Sequence, residues 1–187
     1  LNQRLGDTAA TAVERELAGL AQEQVDKQRG VVIKDTGDGL MVAFQSARRA
    51  VACAQEIQRA IARRNRNRPD LAVQLRVGLH TGEAEMREAT YVGPVLNRAA
   101  RLMSVAHGGQ ILLSTTTSEL VRDQLPGGGS LRDLGEHRLK DLVRSEHIYQ
   151  LIHPDLPLDF PPLKSLSAFP NNLPVQGSRR NRQRPDH

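Results

Sequence analysis

The chain has 187 residues, 39% hydrophobic and 25% charged, a composition typical of one soluble globular domain with an appendage. No apolar run approaches the ~20 residues that a membrane-spanning helix needs, and the one cysteine, Cys53, excludes an internal disulfide and a cysteine metal cluster. The net charge of +5 comes mostly from arginines near the C-terminus, and 3% aromatic content leaves few rings for nucleic-acid bases to stack on. We therefore expect a cytoplasmic protein with no membrane segment, no specific nucleic-acid partner and a buried, structural Cys53.

The first part of the chain predicts a helix, a hairpin and a second helix. Apolar spacing favours a helix from Thr8 to Gln28, which Gly30 ends. Two short β-rich runs, Gly30–Asp35 and Leu40–Phe44, are joined through an Asp-Gly pair that is typical of a hairpin turn. Ser46 is placed to cap the next helix, whose apolar stripe runs to Ile61.

The second part predicts further alternation of strands and helices. A strand is expected from Leu71 to His80, and Thr81-Gly82 turns the chain into another strand. Pro94 lies near the start of a helix that we expect to end in a glycine cap at His107–Gly109. The remaining predicted elements are a strand at Ile111–Ser114, a helix at Thr115–Leu125, and strands near Leu131–Leu139 and His147–Ile152. This alternation predicts a mixed α/β sandwich.

Prolines crowd the chain after Ile152 and divide it into two parts. We expect residues 1–152 to form one domain. Residues 153–187 are expected to be a Pro-rich linker followed by a disordered, basic tail.

One polar pair indicates chemistry. Asn97 and Arg101 are four residues apart on one helix face. An amide can orient a ribose, and a guanidinium can neutralise charge that grows on a phosphate. The spacing alone is more often that of a solvated helix face.

Three further blocks give this pair a context: Lys34–Gly39 (KDTGDG), His107–Gln110 (HGGQ) and Leu134–Lys140 (LGEHRLK). With them, the chain resembles the class III adenylate/guanylate cyclase catalytic domain from about Leu1 to Ile152. The resemblance implies a ferredoxin-like βαββαβ core. It also implies that the family's first strand and first metal-binding aspartate would lie before Leu1, so we expect an N-terminally truncated domain.

The resemblance implies the conversion of a nucleoside triphosphate into a 3′,5′-cyclic monophosphate and pyrophosphate, assisted by two Mg²⁺ or Mn²⁺ ions. Asp38 matches the second metal-bridging aspartate. Asn97 matches the ribose-orienting amide, and Arg101 the arginine that stabilises the transition state. His80, His107 and His137 are assigned to turns and caps.

The same resemblance implies three substrate-binding residues. Lys34 matches the purine-reading lysine, Thr90 its partner, and Lys140 the lysine that grips the triphosphate. Lysine only donates hydrogen bonds, and adenine N1 accepts one, so Lys34 favours ATP. The Thr90 hydroxyl can accept from the adenine amino group or donate to guanine O6. On spacing alone, Lys34 and Lys140 also fit solvated strand residues.

In the family, residues of two chains share each site, so the resemblance implies a homodimer. The Pro-rich joint also suggests a fused C-terminal ATPase or regulatory region. We interpret the chain as an adenylate cyclase domain. Two alternatives stay open: an inactive cyclase-like module that dimerises or senses nucleotide, and a guanylate cyclase. A diguanylate cyclase is disfavoured, because the hairpin reads Thr-Gly-Asp-Gly.

Overall fold

The computed structural model describes residues 7–37, 39–88 and 90–166. The helices are α1 (Asp7–Lys27), α2 (Ala47–Asn67), α3 (Pro94–Val105) and α4 (Thr115–Val121). The strands are β1 (Val31–Asp35), β2 (Leu40–Ala43), β3 (Val77–Leu79), β4 (Glu85–Arg87), β5 (Thr90–Val92), β6 (Ile111–Ser114), β7 (Ser130–His137) and β8 (Glu146–Ile152). Short 3-10 turns lie at Pro69–Leu71, Arg122–Gln124 and Pro126–Gly128. The mixed α/β class predicted from the sequence is thus confirmed.

A four-stranded sheet in the order β3-β6-β8-β7 organises the domain. Strand β3 runs parallel to β6, whereas β6 and β7 both pair antiparallel with β8. The β1–β2 and β4–β5 pairs are separate antiparallel hairpins, and the described residues show no strand pairing between them and the sheet. The first of these is the hairpin that the Asp-Gly signal predicts.

The buried strand β6 separates two apolar clusters because its side chains alternate between the faces of the sheet. Ile111 and Leu113 belong to a cluster that includes residues of α2 and α4. Leu112 belongs to the opposite cluster, with Leu102 of α3. Helix α3 therefore covers one face of the sheet, and α2 and α4 cover the other.

The long helices follow their sequence signals. Ser46 caps α2, its side chain accepting a hydrogen bond from the Arg49 amide. Val13 of α1 packs in one cluster with Ile61 of α2, which fixes the two helices side by side. Cys53 on α2 is buried, and burial raises the pKa of its thiol to about 11, as expected of a structural thiol.

The strand predicted from Leu71 to His80 is shorter than expected. Only Val77–Leu79 pairs in the sheet, because side chains take the backbone groups before it. Asn65 bonds both the amide and the carbonyl of Val73, and Gln58 donates to the carbonyl of Leu75. The strand expected directly after Thr81-Gly82 begins at Glu85 and pairs with β5 rather than with β3.

The glycine cap predicted for α3 is also wrong. The helix ends at Val105, and the cap residue Ala106 has an extended backbone whose amide donates to the Met103 carbonyl. Gly109 still requires glycine, since its φ is 89°.

Residues 153–166, which we call the C-terminal strap, return along the domain rather than leaving it. Leu156 and Leu163 are buried in the two apolar clusters, and the Leu158 carbonyl accepts a hydrogen bond from Gln150. The prolines of this segment predict a linker, yet an extended backbone also lets its leucines point into the domain. The packed unit therefore continues past residue 152, and the predicted basic tail at 167–187 lies outside the described residues.

Among the described residues, no helix has the length and apolar character needed to cross a lipid bilayer.

Candidate functional site

Helix α3 carries the polar pair that the sequence singles out. Asn97 is exposed, and the Arg101 side chain is 37% exposed one turn further on. Leu102, fully buried, fixes the opposite side of the helix. The backbone of α3 lies directly on Gly78 of β3, where an added Cβ would come within 2.4 Å of the Met103 amide nitrogen. The pair is thus presented on a helix with little freedom to shift.

Arg101 forms an ion pair with Asp141, with 2.6 Å between Nη2 and Oδ2. Asp141 follows Lys140 in a β-turn that the Leu142 amide closes onto the Leu139 carbonyl. Its φ of 60° is unusual for a residue with a side chain, although Asp tolerates that region. Leu139 is buried while Lys140 is exposed, so the turn presents the lysine outward. The structure therefore brings Arg101 to the turn that holds Lys140.

Asp141 is the neighbour of the site that sequence reasoning missed. Its partner lies 40 positions away in the chain, so helical or strand spacing gives no sign of the contact. From the sequence, Asp141 would be interpreted as a local charge partner of Lys140. Only the fold shows that its carboxylate faces Arg101.

The β1–β2 hairpin holds the second group of predicted residues. Lys34 is exposed on β1, opposite Met41 of β2. The turn is shaped by the Asp35 carboxylate, which accepts from the Gly37 amide at 2.8 Å, and by Thr36, which bonds the Gly39 carbonyl. Asp38, the predicted metal ligand, lies outside the described residues.

Thr90 is exposed at the start of β5, where it pairs with Arg87. In the described part of the chain, no hydrogen bond or ion pair joins Lys34 or Thr90 to the Arg101–Asp141 pair. A cavity of about 420 Å³ lies elsewhere, between α1 and α2, and is lined by none of the predicted site residues. Among the described residues, the predicted site residues thus form two groups that no hydrogen bond or ion pair joins.

A metal centre is not formed by the described residues of one chain. No group of three or more His, Cys, Asp or Glu side chains among residues 7–37, 39–88 and 90–166 is arranged to hold an ion. The Asp35 carboxylate is already used in the hairpin turn. The assignment of a metal to Asp38 stays a prediction from the sequence.

A buried polar network lies at the end of β3, close to α3. His80 Nδ1 is 2.8 Å from the Ser114 hydroxyl, and Ser114 in turn approaches Thr117 at 3.3 Å. Thr117 also bonds Thr81, so four side chains are joined, two from the residues just after β3 and one each from β6 and α4. Burial, and then the nearby positive charge of Arg98, lowers the pKa of His80 to about 4. His80 therefore belongs to a hydrogen-bond network that joins the residues after β3 to β6 and α4, in addition to lying in the turn that the sequence suggests.

This network predicts acid sensitivity between about pH 6.5 and pH 4. The folded protein keeps His80 neutral down to its pKa of about 4, whereas the unfolded chain takes up the proton near pH 6.5. The stabilisation is thus complete above pH 6.5 and is lost as the pH falls towards 4. We expect the melting temperature of the wild type to fall more over this range than that of His80→Gln, which cannot titrate. Thermal melts of both proteins at several pH values test this, and parallel curves would contradict it.

Comparison with protein-family profiles identifies the family of the chain. The profile of the adenylate and guanylate cyclase catalytic domain matches residues 9–152. The chain belongs to this family.

The cyclase domain is similar to several bacterial proteins. It is 42% identical over 178 residues to the uncharacterized protein Rv0891c of Mycobacterium tuberculosis, covering 93% of this chain and 59% of that protein. It is 37% identical over 122 residues to the putative adenylate cyclase 3 of Rhizobium meliloti, covering 65% of this chain and 20% of that protein. The chain thus spans less than two thirds of the length of these relatives. Their names give no support to the expected fused ATPase region.

Solved cyclase structures share the fold. An adenylate/guanylate cyclase/hydrolase from Silicibacter pomeroyi superposes with a TM-score of 0.66 at 28% identity, covering 72% of this chain and 79% of that one. The adenylyl cyclase CyaB from P. aeruginosa gives a TM-score of 0.66 at 25% identity, covering 81% and 86%. The predicted cyclase fold is confirmed.

Proposed function

We propose that this cyclase domain converts ATP into 3′,5′-cyclic AMP and pyrophosphate, at a site completed by a second copy of the chain. The observation that carries the proposal is the meeting of the Arg101 guanidinium with the Lys140–Asp141 turn. Two cationic side chains at one edge of the domain form a suitable receptor for a triphosphate, whose charge must be neutralised as pyrophosphate leaves.

Each proposed site residue has a role that follows from the chemistry of its side chain. In the reaction, the ribose 3′-hydroxyl loses its proton and attacks the α-phosphorus, and the bond to pyrophosphate breaks. Asn97 orients the ribose through its amide, Arg101 donates hydrogen bonds to the phosphate oxygens as their charge rises, and Lys140 holds the leaving pyrophosphate. Two Mg²⁺ or Mn²⁺ ions, with Asp38 among their ligands, would supply Lewis acidity at the triphosphate.

The division of the predicted site residues into two groups supports a homodimer. Lys34 and Thr90 lie on hairpins, with no bond among the described residues to the Arg101–Asp141 pair. In a symmetric dimer, the hairpin of one chain faces α3 of its partner, and the operation repeats to give two equivalent sites. Sedimentation of the full-length protein with and without ATP measures this association.

Lys34 is the residue from which we predict the preferred nucleobase of the substrate. Its ammonium donates to adenine N1, whereas guanine N1 carries a hydrogen and needs an acceptor. Lys34 is exposed on β1 and free to reach a ligand outside its own chain. We expect the wild type to prefer ATP, and Lys34→Glu to lose ATP turnover while gaining some use of GTP. Cyclic nucleotide formation from each substrate, with Mg²⁺ and with Mn²⁺, is the measurement.

Lys27→Glu is the matched control, because Lys27 is an exposed lysine of α1 that pairs only with Glu23 one turn away among the described residues. It should leave the ratio of ATP to GTP turnover unchanged. Equal or better turnover of GTP by the wild type would make the domain a guanylate cyclase. Nucleotide binding without any cyclic product would make it a sensing module.

A further inference from the structure

The C-terminal strap lies beyond the residues that match the family, yet it is built into the domain. The family match ends at residue 152, whereas His153, Leu163 and Ser165 of the strap are 6%, 4% and 2% exposed. The similarity to the Mycobacterium tuberculosis protein covers 93% of the chain and therefore extends through the strap. A segment anchored by these buried side chains is part of the folded unit, and its contacts show which part of the domain it adjoins.

The strap is hydrogen-bonded at one end to the end of α3. His107, just after the helix, has its Nε2 3.0 Å from the Pro162 carbonyl, and its ring stacks on Phe160. The amide of Lys164 donates to the carbonyl of Val105, the last residue of α3. Because a carbonyl only accepts, His107 Nε2 must carry the hydrogen in the first of these bonds.

The next residues of the strap are bonded to the end of β7, just before Lys140. Ser165 Oγ lies 2.9 Å from His137 Nδ1, and the Leu166 amide donates to the Arg138 carbonyl at 3.1 Å. The other ring nitrogen of His137 is 2.9 Å from the Leu134 carbonyl, so Nε2 is the donor there. In the neutral ring, Nδ1 therefore accepts from the Ser165 hydroxyl, and the imidazole is held from both sides.

Leu163 lies between Pro162 and Lys164, the two residues bonded at the end of α3, and its side chain packs in an apolar cluster. It belongs to the same buried cluster as Leu102 and Leu139. These two leucines directly precede or follow the functional cations, Leu102 after Arg101 and Leu139 before Lys140. The strap thus contacts both α3 and the Lys140 turn, the two elements that carry the proposed phosphate-binding side chains. The Leu163 side chain and the hydrogen bonds of the strap link these two elements.

We propose that the C-terminal strap is a positioning element for the phosphate-binding side chains, in which Leu163 and Ser165 set α3 and the Lys140 turn at the distance a triphosphate needs. This role rests on the proposed cyclase function. The two residues touch neither substrate nor reacting atoms, and they act through His137, Leu102 and Leu139. A displacement of about 1 Å of a positioned group is enough to cost about a hundredfold in rate.

The test compares Ser165→Ala with Leu158→Ala in the full-length protein. Leu158 lies in the same strap but is 38% exposed, so its truncation controls for a general change in the segment. We expect Ser165→Ala to lower kcat/KM for ATP about tenfold or more, with KM raised because Lys140 is displaced. Leu158→Ala should keep wild-type values. His137→Asn, which retains a polar atom near the Nδ1 position, should be less impaired than His137→Leu.

Amide hydrogen exchange gives a readout that does not depend on catalysis. Ser165→Ala should speed exchange at residues 138–142 and at the end of α3, without a matching rise at α1 and α2. Unchanged exchange and unchanged kinetics in Ser165→Ala would overturn the positioning role, as would equal effects of Ser165→Ala and Leu158→Ala. A wild type that makes no cyclic nucleotide would refute the proposed function, whereas the exchange data would still decide whether the strap holds α3 and the Lys140 turn in place.

Discussion

Arg101→Ala is expected to lower kcat by on the order of 10²–10³ while changing KM little. A guanidinium that meets charge present only in the transition state stabilises that state more than bound ATP. The side chain is already held at the edge of the domain by Asp141, 2.6 Å away, so substrate phosphate finds it in place. Steady-state kinetics of cyclic AMP formation by the full-length protein measures both constants.

Two further variants separate the role of the guanidinium from that of its charge. Arg101→Lys keeps a cation but loses the planar fork, so it should recover only part of the activity. Lys27→Ala removes an exposed cation of α1 that pairs with Glu23 of the same helix, and it should have no effect. If Arg101→Ala keeps its kcat and only binds ATP more weakly, Arg101 belongs to substrate binding and not to the reaction centre.

Gly78→Ala is expected to destabilise the fold strongly. A Cβ at this position would lie 2.4 Å from the Met103 nitrogen and 2.7 Å from the Ala99 oxygen. Both are backbone atoms of α3, which cannot rotate away as a side chain could, so the whole helix must move off the sheet. We expect about 3 kcal/mol of destabilisation, the upper end of the usual cost of overpacking.

The loss corresponds to a fall of roughly 6–12 °C in melting temperature for a domain of this size. Gly19→Ala is the matched control, because Gly19 lies within α1 with nothing inside 4 Å of an added Cβ. That change should raise the melting temperature slightly, since alanine favours helix by about 1 kcal/mol. A Gly78→Ala protein that melts at the wild-type temperature would show that α3 can adjust its distance from β3.

The elements predicted well from the sequence are those with local causes. Helix α1 was expected at Thr8–Gln28 and is found at Asp7–Lys27, because its apolar spacing fixes one buried face. The β1–β2 hairpin follows from the turn residues, whose own side chains close the turn. Motif order led to the cyclase family, which the match over residues 9–152 confirms.

The features that could not be predicted depend on contacts between distant parts of the chain. The strand expected at Leu71–His80 is shortened by Asn65 and Gln58 of α2, whose amides take its backbone groups. The ion pair of Arg101 with Asp141 depends on a positive φ at a residue other than glycine, for which the sequence carries no signal. The prolines after residue 152 fit an exposed linker as well as an extended strap.

The roles assigned to the site residues stay predictions. The structure shows Arg101 at the Lys140 turn and places Asn97 one turn before it on α3. In the proposed dimer, Lys34 and Thr90 would meet them across the interface, and the hairpins that carry both residues form sheets separate from the four-stranded sheet. Sequence motifs identify such residues but do not show whether one chain or two chains supply them.

The end of the strap is bonded close to the proposed triphosphate site. The Leu166 amide is bonded to the Arg138 carbonyl, two residues from Lys140. The last described residue of the strap therefore lies beside the proposed triphosphate site. Local opening of the strap at this bond would free the backbone beside Lys140, so the order of the Lys140 turn is coupled to the local stability of the last described residues of the strap.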